Sequence, residues 1–262
     1  MNYWCGKVAI VTGASEGIGL AISEALANYG IKVIGLARRM NKLMEVAAKI
    51  GELKFFPFAC DITEEDQILE AFTWIEEKFG GVDILVNNAG IFSLSLVMDS
   101  DTEEYLDVVN TNLIAPAVFA REAMNSMRKR DTRGHIINIS DIAGLYLEAI
   151  SIPMGMYGPS KYGLEALGIE LRHEIAAARL KIKLTTISPG YVRTDMLKEL
   201  YKYMKVSPDV LLKDSDIAEI VIYVLGTPGT VEVCTDKMLI HKTIHTVTTL
   251  SNTIILNFNP WF

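Results

Sequence analysis

Cysteine is scarce in this chain. Cys5, Cys60 and Cys234 are odd in number and far apart, so they offer neither a disulfide framework nor a zinc spacing. Two of them are expected as small core hydrophobes, and a reducing, cytoplasmic setting is the expectation. Positive charge is also short. With 25 Lys and Arg against 32 Asp and Glu, the net charge is -7, which argues against the basic stripe of a nucleic-acid surface. Local basic residues can still hold a phosphate. No uninterrupted apolar run is long enough to span a bilayer, and the start Met1-Asn2-Tyr3-Trp4-Cys5-Gly6-Lys7 lacks the apolar stretch of a signal peptide. There is no internal repeat, low-complexity tract or domain linker. What remains is 262 residues, 50% of them hydrophobic, a length that fits one α/β domain with a large core.

Short β-rich runs alternate with helical patterns. Strands are expected at Lys7 to Val11, Ile31 to Ala37, Lys54 to Ala59, Ile84 to Val86, His135 to Ile139, Ile182 to Ile187 and Val231 to Ile240. Helices are expected from about Gly17 to Tyr29, Leu43 to Ile50, the acidic start at Thr63 to Phe79, Thr102 to Lys129, Tyr157 to Arg179 and Asp214 to Leu225. Gly30 ends the first helix as a C-cap, and Pro116 kinks or splits the fourth. Buried apolar strands alternating with helices indicate a Rossmann-type, doubly wound parallel sheet covered on both faces. Residues 1–240 form the single domain. Within it, residues 191–213 follow the C-terminal edge of a strand, where α/β ligands bind, and are expected to act as a substrate lid. Residues 241–262 are an extension: a sheet edge, a subunit contact or a disordered end. His241 and His245 lie four apart there, but no third ligand accompanies them and a metal site is not expected.

Thr12-Gly13-Ala14-Ser15-Glu16-Gly17-Ile18-Gly19 follows the first strand and opens the first helix. Gly13 can make the tight turn, Gly17 admits a pyrophosphate, and Gly19 lets helix and strand pack closely. The helix N-terminus, from Ile18 onward, supplies amide donors. The second strand ends at Ala37-Arg38-Arg39. Where an NAD-preferring site sets an acidic residue against the ribose, two guanidiniums stand here, which favours NADP(H). Ser15 can add a hydroxyl to the same phosphate.

Tyr157 and Lys161, in Tyr157-Gly158-Pro159-Ser160-Lys161, share one helix face. The Lys charge is expected to pull the Tyr pKa down from about 10 toward the working range. Such a tyrosine can exchange a proton with a carbonyl or alcohol oxygen.

Taken together, Thr12-Gly13-x-x-x-Gly17-x-Gly19, Asp61, Asn87-Asn88-Ala89-Gly90, Asn112, Tyr157-x-x-x-Lys161 and Pro189-Gly190 resemble the classical short-chain dehydrogenase/reductases, in family order and over nearly the whole chain. Within the family the chain is most similar to the NADP-dependent insect farnesol dehydrogenase and cytosolic keto-steroid reductase branch, an impression to which Asp216 to Glu219 and Val224 to Pro228 add. The resemblance implies that Asp61 and Ile62 border an adenine and that Asn88, Ala89 and Gly90 pack beneath the cofactor or serve structure. It implies that Asn112 kinks its helix and holds a relay water, and that Lys161 bonds the nicotinamide ribose. Ile187, Val192 and Thr194 would approach the nicotinamide, and a homodimer or homotetramer would pair through the helices of Asn112 and Tyr157.

One position departs from the pattern. The family carries Ser three residues before the Gly that closes Asn138-Ile139-Ser140-Asp141-Ile142-Ala143-Gly144; here that position is Asp141, with Ser140 one place earlier. One residue reverses side-chain direction along a strand, though a bulge can rotate Ser140 inward. An ionised Asp141 would raise the Tyr157 pKa and repel an alkoxide; a protonated one could donate a hydrogen bond. Bulged Ser140, protonated Asp141, and an NADP-binding protein with weak or no catalysis all remain open. Leu145, Tyr146, Leu147, Ile150, Ile152, Met154 and Met156, with Leu94, Leu96 and Met196/Leu197 of the lid, suggest an apolar pocket. The expected activity is NADP-dependent interconversion of a lipophilic alcohol, terpenoid or steroid-like, with its aldehyde or ketone.

Overall fold

The computed structural model describes residues 1–150, 152–198, 211–229, 231, 233 and 239–240. In chain order the regular elements begin β1 (Val8–Thr12), α1 (Gly17–Asn28), β2 (Lys32–Ala37), α2 (Met40–Ile50), β3 (Phe55–Ala59), α3 (Glu65–Phe79) and β4 (Ile84–Asn87). They continue with α4 (Thr102–Val109), a π turn (Asn110–Ile114), α5 (Ala115–Lys129), β5 (Gly134–Ile139) and α6 (Tyr157–Ala177). The last are β6 (Ile182–Pro189), α7 (Asp195–Lys198), α8 (Asp214–Gly226) and the two-residue β7 (Leu239–Ile240). All described strands are parallel, in the order β3-β2-β1-β4-β5-β6-β7.

Side-chain alternation distributes the strand residues between two cores. On β1, Ala9 and Val11 join Ile22, Leu26, Ile217 and Val221 of α1 and α8. Val8 and Ile10 join Ile68, Phe119, Ala123 and Leu171 of α3, α5 and α6. The same period-2 division recurs on β4, with Ile84 and Val86 on one face and Leu85 on the other. Helices therefore cover both faces, and β1 lies beside β4 at the point where the winding reverses, which places a crevice at their C-terminal ends.

One expected helix is divided, and two further expectations fall largely outside the described residues. The helix expected from Thr102 to Lys129 is two helices joined by the π turn, and Pro116 lies in the first turn of α5, directly after that turn. Of the last strand only Leu239 and Ile240 are seen paired, to Ser188 and Pro189. Of the expected lid, residues 199–210 lie outside the described residues, as do Cys234, His241, His245 and the whole 241–262 extension. The two ends of the lid segment are joined: Arg193 N–H donates to Leu212 O at 2.8 Å, and Leu212 N–H to Tyr191 O at 2.9 Å. No helix among the described residues is long and apolar enough to cross a membrane.

Candidate active site

A cleft of about 870 Å³ opens along the C-terminal ends of the strands. At one end lie the loop after β1 and the end of β2. Gly13 adopts φ +68° and Gly17 φ +56°, both in the region that favours glycine. A Cβ on Gly19 would stand 2.2 Å from Gly13 O, so α1 packs against the turn as closely as backbone allows. Ser15, Gly17, Ile18, Arg38 and Arg39 line this end, with Asp61 and Ile62 beside them. A cradle that a Cβ would fill, opening onto a helix N-terminus, fits a dinucleotide pyrophosphate.

Arg38 and Arg39 are both exposed, but Arg39 is engaged: its Nη2 lies 2.8 Å from Glu16 Oε2, within the glycine-rich loop itself. Asp61 Oδ1 accepts the Thr63 N–H at 3.0 Å and the Thr63 hydroxyl at 2.8 Å, which shapes the turn after β3. Asn88 proves structural on its side-chain side. Its Nδ2 donates to Thr12 O at 2.9 Å, while Thr12 Oγ1 accepts the Asn88 and Ala89 N–H groups, each at 3.0 Å. That lock ties β4 to β1 and presents Ala89 and Gly90 to the cleft.

At the other end stand the residues suited to proton transfer. Tyr157 and Lys161 open α6 and are each 5% exposed. Lys161 Nζ donates to Ile139 O at 3.2 Å and lies 5.7 Å from the centroid of the Tyr157 ring. Phe92 packs edge-on to Tyr157 with centroids 4.8 Å apart. Asn112 is fully buried in the π turn. Its Oδ1 accepts Ile91 N–H at 2.9 Å, and its Nδ2 donates to Ile91 O at 2.9 Å and to Ser160 Oγ at 3.1 Å. The wider turn thus points an amide at the strand-to-helix loop after β4, a common use of a π bulge. Val192 and Thr194 line the cleft; Ile187 lies in the core behind it.

Asp141, not Ser140, is the group beside the tyrosine. Tyr157 Oη donates to Asp141 Oδ2 at 3.1 Å, and Asp141 Oδ1 accepts the Ala143 N–H at 2.7 Å, capping the 3-10 turn Ile142–Gly144. Ser140 is not bulged toward Tyr157. Its N–H donates to Ile187 O at 2.8 Å in strand fashion, and its buried hydroxyl makes no hydrogen bond among the described residues. That hydroxyl lies on the Glu165 side, where it helps the carboxylate form of Glu165 without closing a bond. Ser188 Oγ does close one, donating to Glu165 Oε1 at 2.6 Å.

The expected lowering of the Tyr157 pKa is overturned. Burial, then the charge and hydrogen bond of Asp141, push the phenol well above its usual value. Burial pushes the Lys161 ammonium down, opposed by Asp141 and Glu165. Asp141 keeps some exposure to the cleft, yet protein surrounds it closely enough that burial pushes its carboxyl up, against the Ala143 N–H, Lys161 and Tyr157. Tyr191, at the cleft wall, is pushed up by burial and by Asp141.

The apolar flank is built differently from expectation. Ile150, Met154, Met196 and Leu197 line the cleft, joined by Ile91, Phe92 and Tyr191, which sequence reasoning did not single out. Leu94, Leu96, Leu145, Tyr146, Leu147, Ile152 and Met156 do not line it. Leu147 instead lies over Gly158, where an added Cβ would meet it at 2.7 Å. Of the cysteines described, Cys5 is exposed and Cys60 buried.

Residues 7–205 match the family described as short chain dehydrogenase. A farnesol dehydrogenase of Aedes aegypti is 40% identical over 238 residues, covering 89% of this chain and 95% of the relative. The human dehydrogenase/reductase SDR family member 11 is 36% identical over 249 residues, covering 89% and 94%. Among solved structures, a metagenomic short-chain oxidoreductase in complex with NADP superposes with a TM-score of 0.74 at 28% identity, covering 88% of this chain and 95% of that one. A short-chain type dehydrogenase/reductase from Mycobacterium marinum superposes with a TM-score of 0.77 at 30% identity, covering 84% and 88%.

Proposed function

The chain belongs to the short-chain dehydrogenase/reductase family and is an oxidoreductase acting on CH–OH, and from that premise we propose that it uses NADP(H) to interconvert a lipophilic alcohol, terpenoid or steroid-like, with its aldehyde or ketone. The observation that carries the substrate class is the make-up of the cleft around Tyr157. Phe92, Ile150 and Met154 pack around Tyr157, which is bonded to Asp141, and Met196 and Leu197 line the same cleft. Such a pocket fits a mainly apolar molecule with a single reacting oxygen. The Aedes aegypti relative, a farnesol dehydrogenase, supports the same class.

The cofactor choice rests on Arg38 and Arg39 at the end of β2, on the cleft wall, where the strand end itself carries no carboxylate and the Glu16 carboxylate of the glycine-rich loop is paired with Arg39. The NADP-complexed relative supports it. Gly13, Ser15, Gly17, Ile18 and Gly19 would hold the pyrophosphate, with Asp61 and Ile62 at the adenine. Ala89, Gly90, Lys161, Val192 and Thr194 would hold the nicotinamide end, with Asn88 supporting from beneath. A bound nicotinamide supplies hydride exchange with the substrate carbon. Tyr157 orients the substrate oxygen; Lys161, held by Ile139 O, binds the ribose; Asn112 fixes the backbone beside both. Met196 and Leu197, in the described start of the expected lid, would flank the substrate. Exposed Leu106, Ile114, Tyr162 and Ile169 on α4, the π turn and α6 support a homodimer or homotetramer paired there. The scarcity of cysteine supports a cytoplasmic setting.

The test is NADPH absorbance with the full chain against farnesol, farnesal, steroid ketones and short polar alcohols. Turnover confined to the lipophilic compounds, with NADPH bound at least tenfold tighter than NADH, is expected for discrimination by a phosphate contact of about 1.4 kcal/mol or more. NADPH binding with no turnover of any compound would instead make the chain a nucleotide-binding protein without this activity.

A further inference from the structure

A carboxylate stands where a tyrosine–lysine centre has no evident use for one. Asp141 is held rigidly by its own backbone turn. Oδ1 is taken by the Ala143 N–H at 2.7 Å, which leaves Oδ2 turned to Tyr157 at 3.1 Å. The phenol proton points at that oxygen, so Tyr157 meets the cleft as a neutral hydrogen-bond donor. Lys161 Nζ is occupied at Ile139 O rather than at the phenol oxygen. A substrate hydroxyl that displaces this bond can accept the Tyr157 O–H in place of Asp141 and donate its own proton to Asp141 Oδ2, because a hydroxyl carries one donor and two acceptor sites.

We infer that Asp141 Oδ2 is the proton acceptor in alcohol oxidation and the proton source in carbonyl reduction, while Tyr157 stays protonated and donates a hydrogen bond to the reacting oxygen. The inference rests on the CH–OH oxidoreductase reading of the site but not on any particular substrate. In oxidation the carbinol C–H bond breaks and its electron pair leaves as hydride to the nicotinamide that the family activity supplies. The O–H bond breaks, its electrons form the C=O π bond, and its proton passes to Asp141 Oδ2. Reduction reverses each change. The directions of the two pKa shifts agree with this division: burial raises the carboxyl toward the range where it can cycle, and it moves the phenol away from it.

The groups that face Asp141 are few. Tyr157 and Lys161 come from α6 and Tyr191 from the segment after β6, while Glu165, one turn farther along α6, acts on Lys161. The acid form is needed for reduction and the base form for oxidation. Oxidation kcat/KM therefore falls as pH drops through the Asp141 pKa, and reduction kcat/KM falls as pH rises through it.

The test compares the wild type with Tyr157→Phe, Asp141→Asn and Asp141→Ser in both directions across pH. Asp141→Ser is included because serine keeps an N-cap for the 142–144 turn if the amide variant does not fold. Tyr157→Phe is expected to lose about a hundredfold, the scale of one oxyanion donor, while keeping the wild-type pH limbs in place. Asp141→Asn loses more than Tyr157→Phe, and Asp141→Ser loses the acid limb of oxidation. Two readouts need no turnover. Infrared titration shows a protonated carboxyl that disappears in both Asp141 variants, and ultraviolet titration shows no tyrosine ionising below its ordinary range that vanishes in Tyr157→Phe. Abolition of activity in Tyr157→Phe with near wild-type activity in Asp141→Asn overturns the inference, and so does a low-titrating tyrosine assigned to Tyr157. Absence of turnover in the wild type with every compound would fail the enzyme reading itself; the infrared and ultraviolet titrations then still decide which of the two groups holds the labile proton.

Discussion

Acid should destabilise this protein through a residue remote from the cleft. His135 sits on β5 with its backbone paired to β4 and β6, and is 1% exposed. Nε2 lies 3.0 Å from Thr185 Oγ1, and Nδ1 has no hydrogen-bond partner among the described residues. Burial, with a smaller contribution from Lys183, pushes its pKa from 6.5 down to about 3. The folded value lies below the unfolded one, so between them the unfolded chain binds a proton that the folded chain refuses. The stability at stake is fully present above the unfolded pKa of 6.5 and is lost as pH falls toward the folded value. The slope is about 1.4 kcal/mol per pH unit. Two units below the unfolded value, near pH 4.5, the loss is about 3 kcal/mol, a large part of the roughly 5–15 kcal/mol that holds a domain folded. Urea midpoints of the wild type and His135→Gln, measured at intervals from pH 8 to 4.5, isolate this term. Glutamine can still bond Thr185 but does not titrate, and the carboxylates common to both proteins cancel in the difference. The variant is expected to lose less stability on acidification. Parallel curves for the two proteins would refute the assignment. The same curves mark the pH below which a falling rate reports unfolding rather than Asp141.

Two further outcomes concern the nucleotide end of the cleft. Gly19→Ala puts a methyl 2.2 Å from Gly13 O and must displace the turn; overpacking of this kind costs about 1–3 kcal/mol, so NADPH affinity measured by protein fluorescence should fall roughly ten- to hundredfold. Affinity within twofold of the wild type would show that the cradle is not used. Glu16→Gln releases Arg39 from its ion pair and should tighten NADPH binding a few-fold, the scale of an exposed pair, with NADH unchanged. Weaker NADPH binding, or an equal change for NADH, would remove Arg39 from the phosphate site.

Much of the architecture was legible because parallel strands buried on both faces read as apolar runs, and because Gly13, Gly17 and Gly19 mark a turn that other residues cannot make. The π turn at Asn112 agrees with the kink that the family resemblance implied, but periodicity alone did not show it. Residues 102–129 keep a continuous helical pattern, and the widening at Asn112 comes from its bonds to Ile91 and Ser160, which lie 21 and 48 residues away in sequence. The lowering of the Tyr157 pKa by Lys161 was misjudged for a related reason. Spacing along α6 brings Lys161 near, but the balance is set first by burial and then by Asp141 from the turn after β5, whose raising effect the sequence did expose. Of the apolar wall expected between residues 145 and 156, Ile150 and Met154 line the cleft and the others do not, because two short 3-10 turns, Ile142–Gly144 and Leu147–Ala149, redirect that segment. Periodicity cannot follow side chains through such turns.

The position of Asp141 is set by its surroundings more than by its own side chain. A Cβ on Gly144 would stand 2.8 Å from Lys161 O, so the 3-10 turn lies directly on the first turns of α6. Leu147 closes over Gly158 from the other side of the same segment. Ser140, one residue before, is fixed by its strand bond to Ile187. Backbone contacts thus hold residue 141 opposite Tyr157 whichever short polar side chain it carries. A change there alters the chemistry facing the tyrosine while leaving the scaffold that delivers it. Loss of the usual serine at this place therefore need not mean loss of the site: the fold keeps one oxygen-bearing side chain at the phenol, and aspartate differs from serine there in being able to hold the proton itself.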